Sequence, residues 1–185
     1  MTGISTPDLP ATPAITVTIS TPEQMTALGA LLAGQLVAGD LVTLNGELGA
    51  GKTTLTRGLG EALGVRGAVT SPTFVLARTH PRDGGAPLVH VDAYRLSSAI
   101  ELDDLDIDFA ASIVVVEWGE GLLDGITNTW ISLDIVRPTG ASESGATTDP
   151  DAADNVDDLV EPRTVTVTGH GDRWKDLGWV GADRN

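Results

Sequence analysis

The chain has 185 residues, enough for one ordinary domain with a real core and too few for two comfortable ones. No run approaches the ~18 apolar residues that a membrane span requires, and the absence of Cys excludes thiol nucleophiles, disulfides and thiolate metal sites. A net charge of −15, from 11 basic and 26 acidic residues, argues against a direct grip on nucleic-acid phosphates.

Residues 1–15 carry no Lys or Arg and no apolar run, so they read as a flexible leader and not as a secretory signal. The cytoplasm is the default address. Residues 16–19 alternate as a short strand. Ser20-Thr21-Pro22-Glu23 is a helix-start signal, and Leu28, Leu31, Leu32 and Leu36 follow at helical spacing, with Gly39 as the stop. Leu41 to Leu44 is an apolar strand running into a Gly-rich loop, and a second helix spans Lys52 to about Leu63. Pro72 biases Ser71 away from helix. Phe74 to Thr79 and Leu88 to Asp92 read as two strands of a hairpin around the turn Asp83-Gly84-Gly85.

Residues 98–111 read as a helix with a solvated acidic face made by Glu101, Asp103, Asp104, Asp106 and Asp108. Ile113 to Val116 is a β-branched run without polar alternation, the mark of a central parallel strand. Trp130 to Val136 and Thr164 to Thr168 complete the strands. Between Thr139 and Pro162 lie seven acidic residues and no basic ones. This order predicts one α/β domain over residues 16–170. The expected architecture is a P-loop NTPase-like fold: a mixed, mostly parallel sheet flanked by helices, with a hairpin insertion after the P-loop helix. Residues 138–161 are expected to be a disordered acidic insertion, and 171–185 a C-terminal tail.

The chemistry concentrates in Gly46-Glu47-Leu48-Gly49-Ala50-Gly51-Lys52-Thr53. Glycines at these positions let backbone N–H groups turn inward onto phosphate oxygens, and the helix that follows points its positive end at the same anion. Lys52 supplies an ammonium for the β and γ phosphates, and Thr53 a hydroxyl for Mg²⁺. Glu47, Leu48, Gly49, Ala50, Gly51, Lys52, Thr53 and Thr54 are the expected nucleotide contacts.

Glu117 ends the Ile113–Val116 strand, where a carboxylate holds Mg²⁺ or positions the attacking water. Asp92 ends another apolar strand and reads equally as a metal or water ligand and as a capping residue. Thr73 reads equally as a γ-phosphate sensor and as a turn residue. Trp118 is either a packing residue or a cover for the nucleotide. The three histidines, His80, His90 and His170, lie far apart and read as structural. A guanine-reading Asn-Lys-x-Asp element is absent, so ATP is favoured over GTP.

The loop, then Ser71-Pro72-Thr73-Phe74, then His90-Val91-Asp92-Ala93-Tyr94-Arg95-Leu96, then Glu117-Trp118-Gly119-Glu120, occur in the order and spacing of one bacterial family. The chain resembles the TsaE (YjeE) family, the ATPases of tRNA threonylcarbamoyladenosine biosynthesis, over about residues 16–136 and again at 163–168. Ala93 stands where that family usually has Leu, and the acidic insertion has no counterpart in its shorter members.

The resemblance implies a small cytoplasmic P-loop ATPase using ATP and Mg²⁺, weak alone. It implies work with the protein partners of a threonylcarbamoyl-transferase complex, which hydrolysis resets, and touches tRNA only through those partners. Carried over by motif, Lys52, Glu117 and Asp92 form the catalytic set, and Thr53 and Glu117 the metal set. Trp118 and Thr73 join the nucleotide contacts, and Thr21 and Arg163 fall near the base or ribose. Two rival functions on the same loop are a small-molecule kinase and a nucleotide-gated assembly factor without turnover.

Overall fold

The computed structural model describes residues 12–123, 125–137 and 161–181. The expected leader over 1–15, apart from residues 12–15, and nearly all of the expected acidic insertion over 138–161 lie outside these residues. The first strand, β1, is Ala14–Ile19, and the first helix, α1, is Pro22–Ala33. Thr21 is the cap of α1, not Ser20. Its hydroxyl accepts from the Gln24 amide at 3.2 Å, while the Gln24 side chain returns to accept from the Ser20 amide at 2.6 Å. This is a variant of the capping box, shifted by one residue from the one expected at Ser20 and Glu23 and with its return bond on the amide before the cap.

α1 stops at Ala33 with Gly34 as its C-terminal cap, short of the expected stop at Gly39. Leu36 is still buried, but in the turn that follows, where Asp40 accepts from the Val37 amide at 2.9 Å. An apolar residue at helical spacing therefore marked burial and not helix.

Strand β2 (Leu41–Gly46) leads into α2 (Lys52–Leu63), and β3 (Ala77–His80) pairs antiparallel with β4 (Leu88–Asp92). The expected strand beginning at Phe74 starts only at Ala77, because Val75 donates back to Pro72 at 2.8 Å in a turn. The expected long helix over 98–111 is one short piece, α3 (Ala99–Asp103), capped by Ser98. Asp106, at φ 55°, breaks any continuation. Strands β5 (Ile113–Glu117), β6 (Trp130–Val136) and β7 (Arg163–His170) follow.

The seven strands form one sheet in the order β1-β7-β6-β2-β5-β4-β3. Parallel pairing is confined to the four central strands, β6-β2-β5-β4. Antiparallel strands complete both edges, so the sheet is mixed, with as many antiparallel pairings as parallel ones instead of being mostly parallel. Alternation within the central strands sends side chains to two cores. Val42 and Leu44 of β2 and Ile113 and Val115 of β5 face α1 and α2. Leu41, Val114 and Val116 face Leu102, Leu122 and Leu123 on the other side.

α1 and α2 cross where Gly29 and Gly58 stand. A Cβ at Gly29 would lie 2.2 Å from the Leu55 carbonyl oxygen, and one at Gly58 would lie 2.3 Å from that of Thr26. The two backbones touch, and this close crossing sets α2 and the loop before it against the sheet. The first core continues past His170 into two short 3-10 helices, Asp172–Trp174 and Gly178–Gly181, which bury Trp174 and Val180. Among the described residues no helix is long and apolar enough to cross a membrane.

Candidate functional site

Three parallel strands end at one edge of the sheet. β2 ends at Gly46, β4 at Asp92 and β5 at Glu117, with Asp92 and Glu117 in register. The carboxyl ends of parallel strands are where α/β sheets form ligand crevices. Here they open into a cavity of about 470 Å³ lined by Leu48, Gly49, Gly51 to Thr54, Ser71, Thr73, Asp92, Tyr94, Glu117 and Trp118.

The loop from Gly46 to Gly51 has the backbone its sequence requires. Gly46 has φ 141°, and a Cβ there would lie 2.4 Å from the Ile135 carbonyl oxygen, so only glycine fits. Gly51 caps α2 at φ 115° with no side-chain hydrogen bond to the helix. The first-turn amides of α2 have no intrahelical acceptors and carry the positive end of the helix dipole, and the first three residues of that turn line the cavity.

Lys52 is buried, and its Nζ donates to the carbonyls of Gly46 (2.7 Å) and Glu47 (2.9 Å). The same ammonium lies 3.7 Å from the centre of the Trp118 ring, a cation–π contact. Burial pulls the Lys52 pKa below its ordinary value, while Glu117 and Asp92 push it back up. Trp118 itself holds φ 63°, a conformation a bulky residue adopts only under constraint. Its amide donates to Leu44 at 2.8 Å, and its ring meets Tyr94 edge-on at 5.3 Å. The left-handed turn swings the indole over Lys52 directly after the strand that delivers Glu117.

Glu117 is the hub. Its Oε1 accepts from the Thr53 hydroxyl at 3.0 Å and lies 2.9 Å from His90 Nε2. Asp92 is buried beside it, with Oδ1 accepting from the Tyr94 amide at 3.1 Å. Among the described residues no cluster of three His, Cys, Asp or Glu forms a self-contained metal cage. The available metal donors are oxygens, a threonine hydroxyl and a carboxylate, which is the set a hard divalent cation takes in partnership with phosphate.

The structure thus gathers Leu48, Gly49, Gly51, Lys52, Thr53, Thr54, Thr73, Asp92, Glu117 and Trp118 around one cavity. Ala50 is buried beneath the loop, and Glu47 contributes its carbonyl to Lys52. Thr73 shares a hydrogen bond with Ser71 at 2.7 Å. Thr21 is not part of the cavity wall; it caps α1, whose Met25 packs under Gly51. Arg163 lies behind the loop, with Nη2 3.5 Å from the Gly49 carbonyl.

Four neighbours were not named as site residues from the sequence: Ser71, Tyr94 and His90, which stand inside the quoted motifs, and Arg137, which does not. His90 is two residues before Asp92 on β4, so the period of a strand would have placed it on the same face, whereas Tyr94 lies in the turn just past the strand end. Arg137 donates to the Gly49 carbonyl at 2.7 Å. Nothing local in sequence signals that contact, which depends on β6 lying next to β2.

With this geometry in place, comparison with known proteins is specific. The model of the family "Threonylcarbamoyl adenosine biosynthesis protein TsaE" matches residues 19–143. The chain belongs to the TsaE family. It is 58% identical to the tRNA threonylcarbamoyladenosine biosynthesis protein TsaE of Streptomyces coelicolor, over 81% of this chain and 93% of that protein. Identity to the Bacillus subtilis protein of the same name is 42%, over 63% of this chain and 73% of the relative. The crystal structure of Bacillus subtilis YdiB superposes with a TM-score of 0.63 at 26% identity, covering 88% of this chain and 90% of that one. The TsaE motifs quoted from the sequence are the segments that line the cavity.

Proposed function

We propose that this TsaE family member is a P-loop NTPase-type protein that binds ATP with Mg²⁺ and hydrolyses it as a cytoplasmic accessory subunit of tRNA threonylcarbamoyladenosine biosynthesis. The observation that carries the reading is the convergence of Lys52, Thr53 and Glu117 on one cavity at the strand ends. In this reading the loop amides and the start of α2 hold the phosphates. Lys52 leaves the Gly46 and Glu47 carbonyls, which it now satisfies, for the β and γ phosphate oxygens. Thr53 and Glu117 hold the metal, which when bound neutralises charge developing on the transferred phosphoryl group. Asp92, fixed by the Tyr94 amide, accepts a hydrogen bond from the attacking water. Trp118 roofs the site and limits the access of other water.

The partner assignment rests on family and charge together. Relatives carry the name of a tRNA-modification pathway, yet the charge of −15 disfavours a direct grip on tRNA. Protein subunits of the threonylcarbamoyl-transferase complex are therefore the partners, and tRNA is met through them. The test is phosphate release from ATP and Mg²⁺ with and without those subunits. Weak release by the chain alone, rising in the assembled complex, is the expected result. Negligible release in the complex would make the chain a nucleotide-gated assembly factor, and efficient phosphoryl transfer to a sugar or nucleoside would make it a kinase.

A further inference from the structure

His90 is the one imidazole that touches the site. It is fully buried on β4, on the same face as Asp92, and its Nε2 lies 2.9 Å from Glu117 Oε1. Its other nitrogen, Nδ1, is buried without a hydrogen-bond partner. A buried imidazole with an unmet nitrogen is costly, since an unsatisfied polar group in the interior costs about 1–3 kcal/mol. On β5 the residue in register is Val115, and on β3 it is Arg78; neither gives Nδ1 a hydrogen bond, and the one side-chain hydrogen bond of the ring is the one to Glu117. The polar ring is retained for the single contact it does make.

We propose that His90 is a positioning residue that fixes the Glu117 carboxylate for metal binding. Thr53 and His90 both converge on Oε1. When Nε2 carries the proton, Oε1 accepts two hydrogen bonds from opposite sides, from α2 and from β4, and the carboxylate plane is locked. Oε2 makes no protein hydrogen bond among the described residues, so it is the oxygen presented outward. With the Thr53 hydroxyl engaged as a metal ligand, His90 would be the remaining protein donor that keeps Glu117 from rotating. Partners of this kind, one step behind a ligand, set its orientation and are worth about 10–100-fold in metal affinity.

The inference rests on the metal–nucleotide reading above, and its test separates the two. Mn²⁺ binding in the presence of ATP is measured on the full chain by the paramagnetic resonance of free Mn²⁺. Binding of a fluorescent ATP analogue in EDTA, and the melting temperature, are measured alongside. His90→Leu fills the space and removes the donor; His90→Gln restores a donor near the Nε2 position, and His90→Asn leaves one that falls short.

The expected result is Mn²⁺ affinity weakened about tenfold in the Leu and Asn variants and largely restored in the Gln variant. Metal-free nucleotide affinity stays within about twofold throughout. If the Leu variant does not fold, the contrast between Gln and Asn decides. Wild-type Mn²⁺ affinity in the Asn or Leu variant overturns the inference, as does equal loss of Mn²⁺ and metal-free nucleotide binding in all variants, which would make His90 a packing residue. A wild-type chain that binds nucleotide without any Mn²⁺ dependence overturns the metal reading itself and this inference with it.

Discussion

At the scale of single residues, the site is held together by few contacts, each using a group whose alternatives are poor. Lys52 is buried, so its charge needs compensation, and the Gly46 and Glu47 carbonyls with the Trp118 ring supply it. That arrangement keeps the ammonium at the cavity while leaving it free to exchange carbonyl for phosphate oxygens, a stronger charge-assisted partner. Glu117 is more constrained, because Thr53 and His90 both fix one of its oxygens. Glu117→Gln preserves the shape but puts an amide where an anionic ligand is needed. Its expected outcome is loss of Mg²⁺-dependent ATP turnover by at least about tenfold, with an unchanged circular dichroism spectrum; turnover equal to wild type would remove Glu117 from the site.

The residue types of this cluster were legible in sequence because the loop pattern states its own chemistry and because Glu117 ends an unmistakably buried strand. His90 was not legible. Alone in sequence it resembles any core histidine, and only the pairing of β4 with β5 brings it to Glu117.

At the scale of elements, the signals that held were those tied to local physics. Gly64 ends α2 in a left-handed conformation, as its position after a helical run predicts. Signals tied only to burial misled. Leu36, Leu105, Ile107 and Phe109 are inside or partly inside, but outside any helix, and hydrophobic spacing cannot separate a helix from a packed turn. The crossing of α1 on α2 was also invisible, since a glycine inside a helical run does not say what packs against it.

In the structure those two glycines are requirements. Alanine is the better helix former by about 1 kcal/mol, yet at Gly58 its Cβ would meet the Thr26 carbonyl, a backbone atom that moves only if the helices part. The clash wins. Gly58→Ala is expected to destabilise the protein by about 1–3 kcal/mol in urea unfolding, and a stabilised variant would refute the close-crossing account.

At the scale of the whole molecule, the α/β class was legible and the sheet's composition was not. Four central strands run parallel, and the unbroken apolar run of Ile113–Val116 signalled one of them, but edge pairing depends on contacts between distant segments such as β1 with β7. The flanking antiparallel strands also carry two histidines that the motif does not use, a buried His80 on β3 and a half-buried His170 on β7. Burial holds His80 and His170 below the ordinary value of 6.5, with His90 and Arg78 adding to the shift at His80 and Asp134 opposing it at His170.

The unfolded chain therefore takes up protons on these groups before the folded one does as pH falls below 6.5. Their contribution to stability is complete above that pH and is lost as pH drops toward the folded-state values. Melting temperature is expected to fall between about pH 6.5 and pH 5, and the His80→Gln, His170→Gln double variant to show a flatter slope over that range. An unchanged slope would show that these histidines do not titrate differently on folding.

The most direct test of the central claim, that the Gly46–Thr53 loop holds ATP through Lys52, is calorimetric titration of ATP with Mg²⁺ into the wild-type chain and into Lys52→Ala. The account predicts saturable one-to-one binding in the wild type and its loss, by at least about a hundredfold in affinity, in the variant, which removes a charge-assisted contact of about 1.5–3 kcal/mol together with its electrostatic attraction for phosphate. Equal affinity in a folded Lys52→Ala protein would contradict it.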